Sequence, residues 1–418
     1  MKKCAKISLL LLIPFLGGSM VIAADWAQFH GPKRDNISPE TGLLKKWPDG
    51  GPKLLWTCRK IGFGYSTVSI GGGLIYTAGN AYGDTIVTAM DLKGEVKWHY
   101  KCGPAWTSKR LWPGTRGTPT YENGRLYFES PVGDLVCLDA KTGKKIWGMN
   151  ILSKFEGKNI RWALSESLLI DGDNLICAPG GSKGGLVALN KSDGKVVWTC
   201  VTGDQAGYAS PIVVEQDGLR IIVTLTLKAM VGVNAKTGKL LWRVDHESYA
   251  DENVLVPIYH DGHILVSTIK AGTRKWKLNV KGKTASVKQV WRSLEMDNHH
   301  GGIVLLDGYI YGSSCVYNRV RNKCPWICLD WKTGKKQYVD PGVGKGSLTV
   351  AEGMMYILSK DGTVGLVTPS PKAHTVVSRF NPPKGGMGPW WAHPVVCDGR
   401  LYIRHGLNLY VYDIRAKK

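Results

Sequence analysis

The sequence predicts an all-β protein, an eight-bladed β-propeller with four-stranded antiparallel blades. Three observations support this prediction. One short pattern recurs five times, an aromatic residue returns at a nearly constant interval, and the last repeat lacks a strand that the N-terminal region supplies. Four-stranded units repeated about every 40 to 50 residues are typical of propellers, in which each unit forms one blade.

The recurring pattern encodes a β-hairpin. Its five copies read AMDLKGEVKW, CLDAKTGKKIW, ALNKSDGKVVW, GVNAKTGKLLW and CLDWKTGKKQY. The alternating apolar residues predict a half-buried strand. The central glycine supplies the positive φ of a tight turn, and a second strand follows it. Another hairpin precedes each copy, as in residues 118–127, so two hairpins make one blade.

An aromatic residue ends each repeat and is predicted to fill the wedge between neighbouring blades. These residues are separated by 42 to 51 positions: Trp56, Trp98, Trp147, Trp198, Trp242, Trp291, Tyr338 and Phe380. Burial of each ring would contribute about 2–3 kcal/mol from apolar area.

The two ends of the repeat region are expected to close the ring together. After Phe380 the sequence has one more hairpin and a third strand at residues 409–414. The missing fourth strand is expected at residues 52–56, where it would complete the last blade and remove an open edge. This count gives eight blades. Seven blades remain an alternative, because residues 278–291 and 366–380 lack the glycine turn at its usual place.

The N-terminal residues 1–23 have the features of a signal peptide. Lys2, Lys3 and Lys6 precede an apolar run that is too short to span a bilayer comfortably. We therefore expect an exported protein, periplasmic or secreted. Cys4 lies before the apolar run, which argues against a lipid anchor.

Residues 24–51 differ from the repeats and are expected to form an irregular strap across the propeller. They are polar and contain proline and glycine, with three aromatic residues between them. Trp26, Phe29 and Trp47 are expected to anchor this strap.

The chain is strongly basic, with a formal net charge of +22. Removal of the three leader lysines would leave +19. Such a surface attracts polyanions, and the expected partners are an acidic glycan or an envelope protein. The sequence contains no basic run or basic helical stripe, so no specific nucleic-acid binding is expected, and many of the lysines serve solubility at turns. We expect a monomer.

Nine of the ten cysteines remain after removal of the leader, so at least one is unpaired. Cys315 and Cys324 flank an eight-residue loop between two predicted strands and form the best candidate disulfide, because an oxidising compartment favours pairing. Cys137, Cys177 and Cys397 lie in apolar strand patterns and are expected to be buried thiols.

The repeated pattern A/C-L-D-x-K-T-G-K-x-x-W resembles the repeat of the PQQ-like (quinoprotein alcohol dehydrogenase-like) eight-bladed propellers. The resemblance extends from about residue 52 to the C-terminus. Phrases such as NHHGGIVLLDGYIYG and LSESLLIDGDNLICAPGG are similar to a subfamily of exported bacterial proteins with PQQ-binding-like repeats. This family contains both dehydrogenases and non-enzymatic scaffolds, so the resemblance implies the fold and leaves the activity open.

For a dehydrogenase, the resemblance would imply PQQ, a calcium ion, a catalytic aspartate and typically a disulfide between adjacent cysteines. The sequence contains no adjacent cysteines, and no calcium ligand or catalytic aspartate is assignable by motif. The recurring Asp91, Asp139, Asp330 and Asp413 lie at turns, where they are expected to accept hydrogen bonds from the backbone.

The loops that join consecutive blades contain a candidate ligand site at the mouth of the channel. It comprises Arg116, Trp162, Glu166, Tyr208, His299, His300, Lys345, Trp391 and His393. Aromatic rings beside charged groups suit a planar or sugar-like ligand. Alternatively, the tryptophans only pack the loops and the charges face solvent.

The adjacent His299 and His300 raise the question of a metal site, with His393 or Glu166 as further ligands. Neighbouring residues of a strand point to opposite faces unless a bulge or turn intervenes, which Gly301 and Gly302 would permit. We expect one inward histidine and no metal centre.

These observations favour a binding or interaction scaffold in the periplasm or cell envelope, with its ligand site at the channel mouth. The first alternative is a PQQ- and calcium-dependent oxidoreductase acting on alcohols or sugars. The second alternative is an outer-membrane protein assembly factor, against which the absence of a lipid-anchor cysteine counts.

Overall fold

The computed structural model describes residues 25–108, 112–315 and 324–416. Within these ranges the predicted all-β propeller is confirmed, because eight antiparallel units of four strands form eight blades. The predicted signal peptide lies outside the described residues. Among the residues described, no helix is long and apolar enough to cross a membrane.

The strands follow the chain blade by blade. Strands β1 (Ile37–Ser38) and β2 (Lys53–Cys58) come first. Blade 1 has β3 (Ser69–Gly71), β4 (Leu74–Ala81), β5 (Asp84–Asp91) and β6 (Val96–Pro104). Blade 2 has β7 (Thr120–Glu122), β8 (Arg125–Glu129), β9 (Asp134–Asp139) and β10 (Lys145–Asn150). Blade 3 has β11 (Leu169–Asp171), β12 (Asn174–Cys177), β13 (Leu186–Asn190) and β14 (Val196–Cys200). Blade 4 has β15 (Ile212–Gln216), β16 (Leu219–Leu225), β17 (Ala229–Asn234) and β18 (Leu240–Asp245).

The second half of the ring repeats this arrangement. Blade 5 has β19 (Ile258–His260), β20 (His263–Thr268), β21 (Gly272–Lys281) and β22 (Thr284–Ser293). Blade 6 has β23 (Ile303–Leu306), β24 (Tyr309–Ser313), β25 (Trp326–Asp330) and β26 (Lys336–Asp340). Blade 7 has β27 (Gly346–Ala351), β28 (Met354–Ser359), β29 (Val364–Thr368) and β30 (Thr375–Phe380). Blade 8 has β31 (Val395–Cys397), β32 (Arg400–His405) and β33 (Asn408–Asp413), together with β2. Two short helices, α1 (Ile151–Phe155) and a 3-10 turn (Tyr249–Asp251), lie in loops between blades.

The first strand of each blade lies innermost. Strand β3 contacts β7, and β27 contacts both β23 and β31, so first strands of neighbouring blades meet around the channel. Strand β2 completes blade 8 by antiparallel pairing with β33, in which Lys53 faces Asp413 and Leu54 faces Tyr412. The predicted closure by the N-terminal strand is therefore confirmed, and the ring has eight blades and not seven.

At the outer rim, the aromatic residue that ends one blade packs on the glycine turn of the next, and we call this arrangement the rim contact. A Cβ added to Gly143 of blade 2 would lie 2.6 Å from the indole of Trp98 of blade 1. The Nε1 of Trp98 also donates a hydrogen bond to the Ala140 carbonyl at 3.1 Å. Equivalent bonds join other tryptophans to the following blade: Trp56 to Leu92, Trp147 to Lys191, Trp198 to Ala235 and Trp291 to Trp331. The turn glycine thus provides both a φ of +72° and room for the ring.

The rim contact changes where the next blade has no glycine turn at the usual place. Trp242 ends blade 4, and blade 5 instead continues into two ten-residue strands. The indole of Trp242 packs over Gly232 of its own blade. Its Nε1 is buried and has no hydrogen-bond partner among the described residues. The irregular repeat therefore still forms a blade, but the rim contact with it lacks the hydrogen bond from the tryptophan.

The recurring aspartates have the structural role that their turn positions predict. Asp139 Oδ1 accepts from the backbone N of Thr142 at 2.8 Å and from its hydroxyl at 2.7 Å. Asp330 makes the same two contacts with Thr333.

The apolar core consists of clusters that each lie between two neighbouring blades, for example between blades 1 and 2 around Val87 and Val136. The strap crosses the channel opening. Its Trp26 carbonyl accepts from the Ile70 amide of blade 1, and β1 adds a parallel fifth strand to blade 7. Trp47 is buried at the junction of blades 7 and 8.

Candidate functional site

The loops between blades meet at one end of the channel and line a pocket whose empty space is about 1000 Å³, open solvent at its mouth included. Seven connections and the strap contribute to its lining. The aromatic and ionisable lining residues are Phe29, His30, Tyr65, Arg116, Trp162, Tyr208, Glu252, His299, His300, Trp391 and His393. The pocket therefore combines residues that are distributed over most of the sequence.

Arg116 places a cation among aromatic rings in this pocket. Its Cζ atom lies 5.4 Å from the ring centre of Tyr65 and 5.8 Å from that of Trp162, and Trp106 lies 5.5 Å away on another side. One guanidinium nitrogen donates to the Trp112 carbonyl at 2.7 Å. Burial lowers the pKa of Arg116 to about 10, so it stays charged at neutral pH. Among the described residues no carboxylate lies within ion-pair distance of it.

Glu252 is the carboxylate of the pocket. Its Oε2 lies 3.0 Å from His299 Nε2, and its Oε1 accepts from Trp162 Nε1 at 2.9 Å. Burial favours the neutral acid, but the contacts with His299 and Trp162 outweigh it and hold the pKa of Glu252 below its usual value. His299 Nδ1 lies 3.4 Å from Lys345 Nζ. His299 thus connects an acidic and a basic group at one side of the pocket.

Three further histidines lie close together, of which His30 and His393 are buried and His300 is half-buried. His393 Nδ1 lies 3.2 Å from His30 Nε2, and His393 Nε2 lies 2.8 Å from the His300 carbonyl oxygen. Burial lowers the pKa of all three, to about 4 for His393. They are therefore neutral at pH 7, and both ring nitrogens of His393 are engaged by His30 and His300.

Arg34 holds the strap in place across the channel, beside the pocket. This residue is 6% exposed, and its guanidinium donates to the Ser167 carbonyl at 3.0 Å and to the Pro211 carbonyl at 2.9 Å. Its Nε donates to the Gln28 side chain at 2.8 Å. Burial lowers the pKa of Arg34 to about 9. Because backbone oxygens satisfy its donors, Arg34 locks the strap to blades 3 and 4.

Glu166 does not line the pocket. It lies with Glu129 in a buried position between blades 2 and 3, and its Oε1 accepts from the Ala178 amide at 2.6 Å. Burial raises the pKa of both carboxyls, that of Glu166 to about 7. The two carboxyls interact with each other, so their protons are released as a coupled pair.

The structure brings seven of the nine predicted ligand-binding residues into this one pocket: Arg116, Trp162, Tyr208, His299, His300, Trp391 and His393. Lys345 touches His299 from behind the lining, and Glu166 lies outside it. The expectation of a single inward histidine is wrong. Residues 299 and 300 lie in a loop and turn and not on a strand, and their Nδ1 atoms are 2.9 Å apart.

Sequence reasoning missed Phe29, His30, Tyr65 and Glu252. Phe29 was assigned only as an anchor of the strap, although its ring stacks on His30 at 4.0 Å within the pocket. Glu252 and Tyr65 lie in loops between blades, and that position alone was the available signal.

The cysteines predicted to form a disulfide lie close together. The sulfurs of Cys315 and Cys324 are 4.0 Å apart and are not bonded to each other. Cys137, Cys177 and Cys397 are buried thiols, as their strand patterns predict.

The fold family implies calcium and PQQ for its dehydrogenases, and the residues of the pocket do not fit the calcium ion. Calcium prefers six to eight oxygen ligands, most of them carboxylates and carbonyls. Glu252 is the single carboxylate among the described lining residues and is already engaged by His299 and Trp162. In the part of the chain that is described, no group of three or more histidine, cysteine, aspartate or glutamate residues is arranged to hold a metal.

Known proteins resemble this chain at two levels. At the level of sequence, a quinoprotein ethanol dehydrogenase of Pseudomonas aeruginosa is 29% identical over 157 residues, which are 37% of this chain and 22% of that enzyme. The match thus spans about a fifth of the length of that relative. At the level of structure, a europium-containing methanol dehydrogenase superposes with a TM-score of 0.67 at 13% identity, covering 94% of this chain and 98% of the enzyme. BamB from Moraxella catarrhalis superposes with a TM-score of 0.60 at 15% identity, covering 87% and 100%. Both structural likenesses show the fold.

A family model described as outer membrane protein assembly factor BamB matches residues 83–338. This match covers more than half of the chain and includes the repeats of blades 2 to 6. The chain therefore belongs to this family of PQQ-like β-propeller proteins.

Proposed function

We propose that this chain is an exported binding protein of the cell envelope, which holds an acidic, planar or sugar-like ring compound in the pocket at the channel mouth. The observation that carries the proposal is the position of Arg116 among aromatic faces, where no described residue supplies it with an anionic partner. Aromatic faces stack on planar rings and on sugars, and a guanidinium binds carboxylates through paired hydrogen bonds.

The remaining polar groups of the pocket suit such a ligand. The neutral ring of His300 and the hydroxyl of Tyr208 provide uncharged hydrogen-bonding groups for hydroxyls or ring oxygens. The basic surface of the chain would attract an acidic glycan toward the mouth. The leader-like N-terminus and the envelope role of related proteins support export, and an envelope protein remains a further partner class.

The runner-up is a PQQ-dependent oxidoreductase acting on alcohols or sugars. The dehydrogenase relatives support it, because they share the repeat and the fold. Against it stands the donor set of the pocket, in which one carboxylate is already paired. A role in outer-membrane protein assembly is supported by the family match. In that role the protein would bind its partners through an outer surface of the propeller and not through the pocket.

The test is calorimetric titration of the purified protein with a trigalacturonide, and separately with PQQ in the presence and absence of calcium. We expect the uronate to bind at one site, and the Arg116→Met variant to weaken binding about 10-fold or more because a charge-assisted contact is lost. Trp391→Ala removes a stacking face, and Trp47→Phe, far from the pocket at blades 7 and 8, is the matched aromatic control.

Thermal unfolding of each variant separates lost binding from lost folding. If PQQ binds in a calcium-dependent way and the trigalacturonide does not bind, the dehydrogenase function replaces this proposal. Binding of neither ligand, or an affinity that both Arg116→Met and Trp391→Ala leave unchanged, would contradict the proposal.

A further inference from the structure

Cys315 and Cys324 lie opposite each other where strands β24 and β25 end. Ser313 pairs with Trp326 in the antiparallel ladder, and the Ser314 amide donates to the Pro325 carbonyl at 2.8 Å. The next facing pair is Cys315 and Cys324, whose sulfurs are 4.0 Å apart. Directly facing residues of antiparallel strands have Cα atoms about 4.5–5.5 Å apart, which is within the range that a disulfide spans.

Cys315 has basic groups near its sulfur, one of which, His299, lines the pocket. The Lys345 ammonium and the His299 ring both act on its sulfur, and these two residues are themselves 3.4 Å apart. A hydrogen bond from the Cys324 thiol, followed by the Lys345 charge, lowers the pKa of Cys315 to about 6, although burial opposes this change. A large part of Cys315 is therefore thiolate at neutral pH.

Other cysteines of the propeller lack this environment. Burial raises the pKa of Cys137 and Cys200 to about 11, and that of Cys328 and Cys397 to about 12. Since the thiolate is the reactive form, these thiols are inert at neutral pH. The contrast singles out Cys315 as the nucleophilic sulfur, with Cys324 placed to react with it.

We propose that Cys315 and Cys324 form a peroxide-reactive thiol pair beside the ligand pocket, in which Cys315 is oxidised first and Cys324 resolves it to a disulfide. The geometry of the facing pair and the contact between Lys345 and His299 support this assignment. Both cysteines are buried, at 7% and 3% exposure, so the oxidant is a molecule as small as hydrogen peroxide. The proposal does not depend on which ligand the pocket holds.

The reaction proceeds in two steps. The Cys315 thiolate attacks one oxygen of hydrogen peroxide, the O–O bond breaks, and hydroxide leaves while Cys315 becomes a sulfenic acid. The Cys324 sulfur then attacks the Cys315 sulfur, the S–O bond breaks, and the departing hydroxyl takes the Cys324 proton to form water. The two thiols lose two electrons, and the peroxide gains them.

The experiment exposes the reduced, folded full chain to hydrogen peroxide and maps the products by peptide mass spectrometry. We expect a bond between Cys315 and Cys324 that dithiothreitol reverses without unfolding. In the Cys324→Ser variant we expect a sulfenic acid on Cys315 that dimedone traps, and in Cys315→Ser neither product. Cys328→Ser is the matched control, which should react like the parent protein.

A second readout tests the role of Lys345, because a merely structural pair would not show it. The rate of Cys315 oxidation is expected to rise with pH around 6 in the parent protein. Lys345→Met should move this midpoint upward and slow the reaction about 10-fold at pH 7, whereas Lys335→Met, in an exposed turn of the same blade, should not. The groups that face the two sulfurs are His299, Lys345 and Lys360, so these set the profile.

Three outcomes would overturn the proposal. The first is that the other buried thiols are oxidised as fast as Cys315. The second is a bond between Cys315 and Cys324 that is reduced only after unfolding, which would make it a structural disulfide. The third is an unchanged pH profile in Lys345→Met.

Discussion

The outer rim and the channel mouth of this propeller are built in different ways. At the rim, one contact recurs around the ring: the indole of Trp98 packs on Gly143, and that of Trp198 packs on Gly238. At the mouth, the aromatic and ionisable side chains that line the pocket differ from one connection to the next. Arg116 comes from the connection before blade 2, and the histidines of the pocket come from the strap and from two further connections.

The difference shows how a repeat fold separates stability from binding. Each rim contact joins only neighbouring blades, so the same short sequence can supply it many times. Several mouth contacts join distant parts of the chain, as His30 and His393 do across 363 positions. Damage at the rim should therefore change unfolding, and damage at the mouth should change binding.

The largest effect is expected at the closure of the ring. Deletion of residues 52–56 removes the strand that pairs with β33 and leaves blade 8 with an open edge. We expect the midpoint of thermal unfolding to fall by more than about 10 °C, or the chain to aggregate. The matched control is Lys53→Ala with Leu54→Ala, which alters exposed side chains and keeps the backbone pairing. An unchanged midpoint in the deletion variant would show that β2 is not needed for closure.

An intermediate loss of stability is expected when turn glycines are replaced. Two of them distinguish the two reasons for glycine at a turn, which are a positive φ and a lack of room for a Cβ. Gly143 and Gly124 both have a positive φ, +72° and +79°, in hairpins of blade 2. A Cβ at Gly143 would also lie 2.6 Å from Trp98, whereas nothing lies within 4 Å of one at Gly124. Gly124→Ala should cost about 1 kcal/mol from backbone strain, and Gly143→Ala about 2–4 kcal/mol because overpacking adds to it.

Denaturant unfolding of the two glycine variants measures this difference directly. Equal losses of unfolding free energy would mean that the indole moves aside, and that the rim contact contributes little.

The smallest effect is a difference in pH response between the two regions. The pKa of His393 at the mouth falls from its usual 6.5 to about 4 on folding, because burial disfavours the charged ring. Between these values the unfolded chain binds more protons, so acid favours unfolding. This histidine therefore costs no stability above pH 6.5, destabilises the fold progressively as the pH falls, and has its full effect below about pH 4.

The rim responds in a lower pH window. The pKa of Asp139 lies below its usual 3.8, because Thr142 donates to its carboxylate. Its contribution is present above about pH 4 and is lost as the pH falls through the folded value. The measurement is the midpoint of thermal unfolding as a function of pH from 7 to 3. His393→Gln should reduce the pH dependence between about 6.5 and 4, and Asp139→Asn should reduce it below about 4. The reverse assignment, or no separation, would contradict the comparison.

Several features of the fold were predictable because they depend on local pattern. The hairpin copies, the aromatic ends at Trp147 and Trp198, and the closing strand at residues 52–56 each follow from alternation, glycine and spacing. The repeats that end at Trp291 and Phe380 were the uncertain ones, and the structure shows that both form blades. The rim contact of Trp242, which precedes the first of them, lacks its hydrogen bond among the described residues.

The composition of the site was predictable in part. A residue in a connection between blades has a fair chance of facing the mouth, and Trp162, His299 and Trp391 do so. Their partners were not predictable, because Glu252 meets His299 only once two separate loops have taken their shapes.

By itself, the sequence determined the class of fold and the way in which the ring closes and favoured eight blades over seven, because these follow from contacts between neighbours in a repeat. Only the tertiary structure decided that both His299 and His300 face the pocket, that Phe29 and His30 of the strap join them, and that Glu166 does not. The reason is physical: a loop without hydrogen-bonded pattern takes its conformation from whatever packs against it, and here those residues come from the opposite end of the chain.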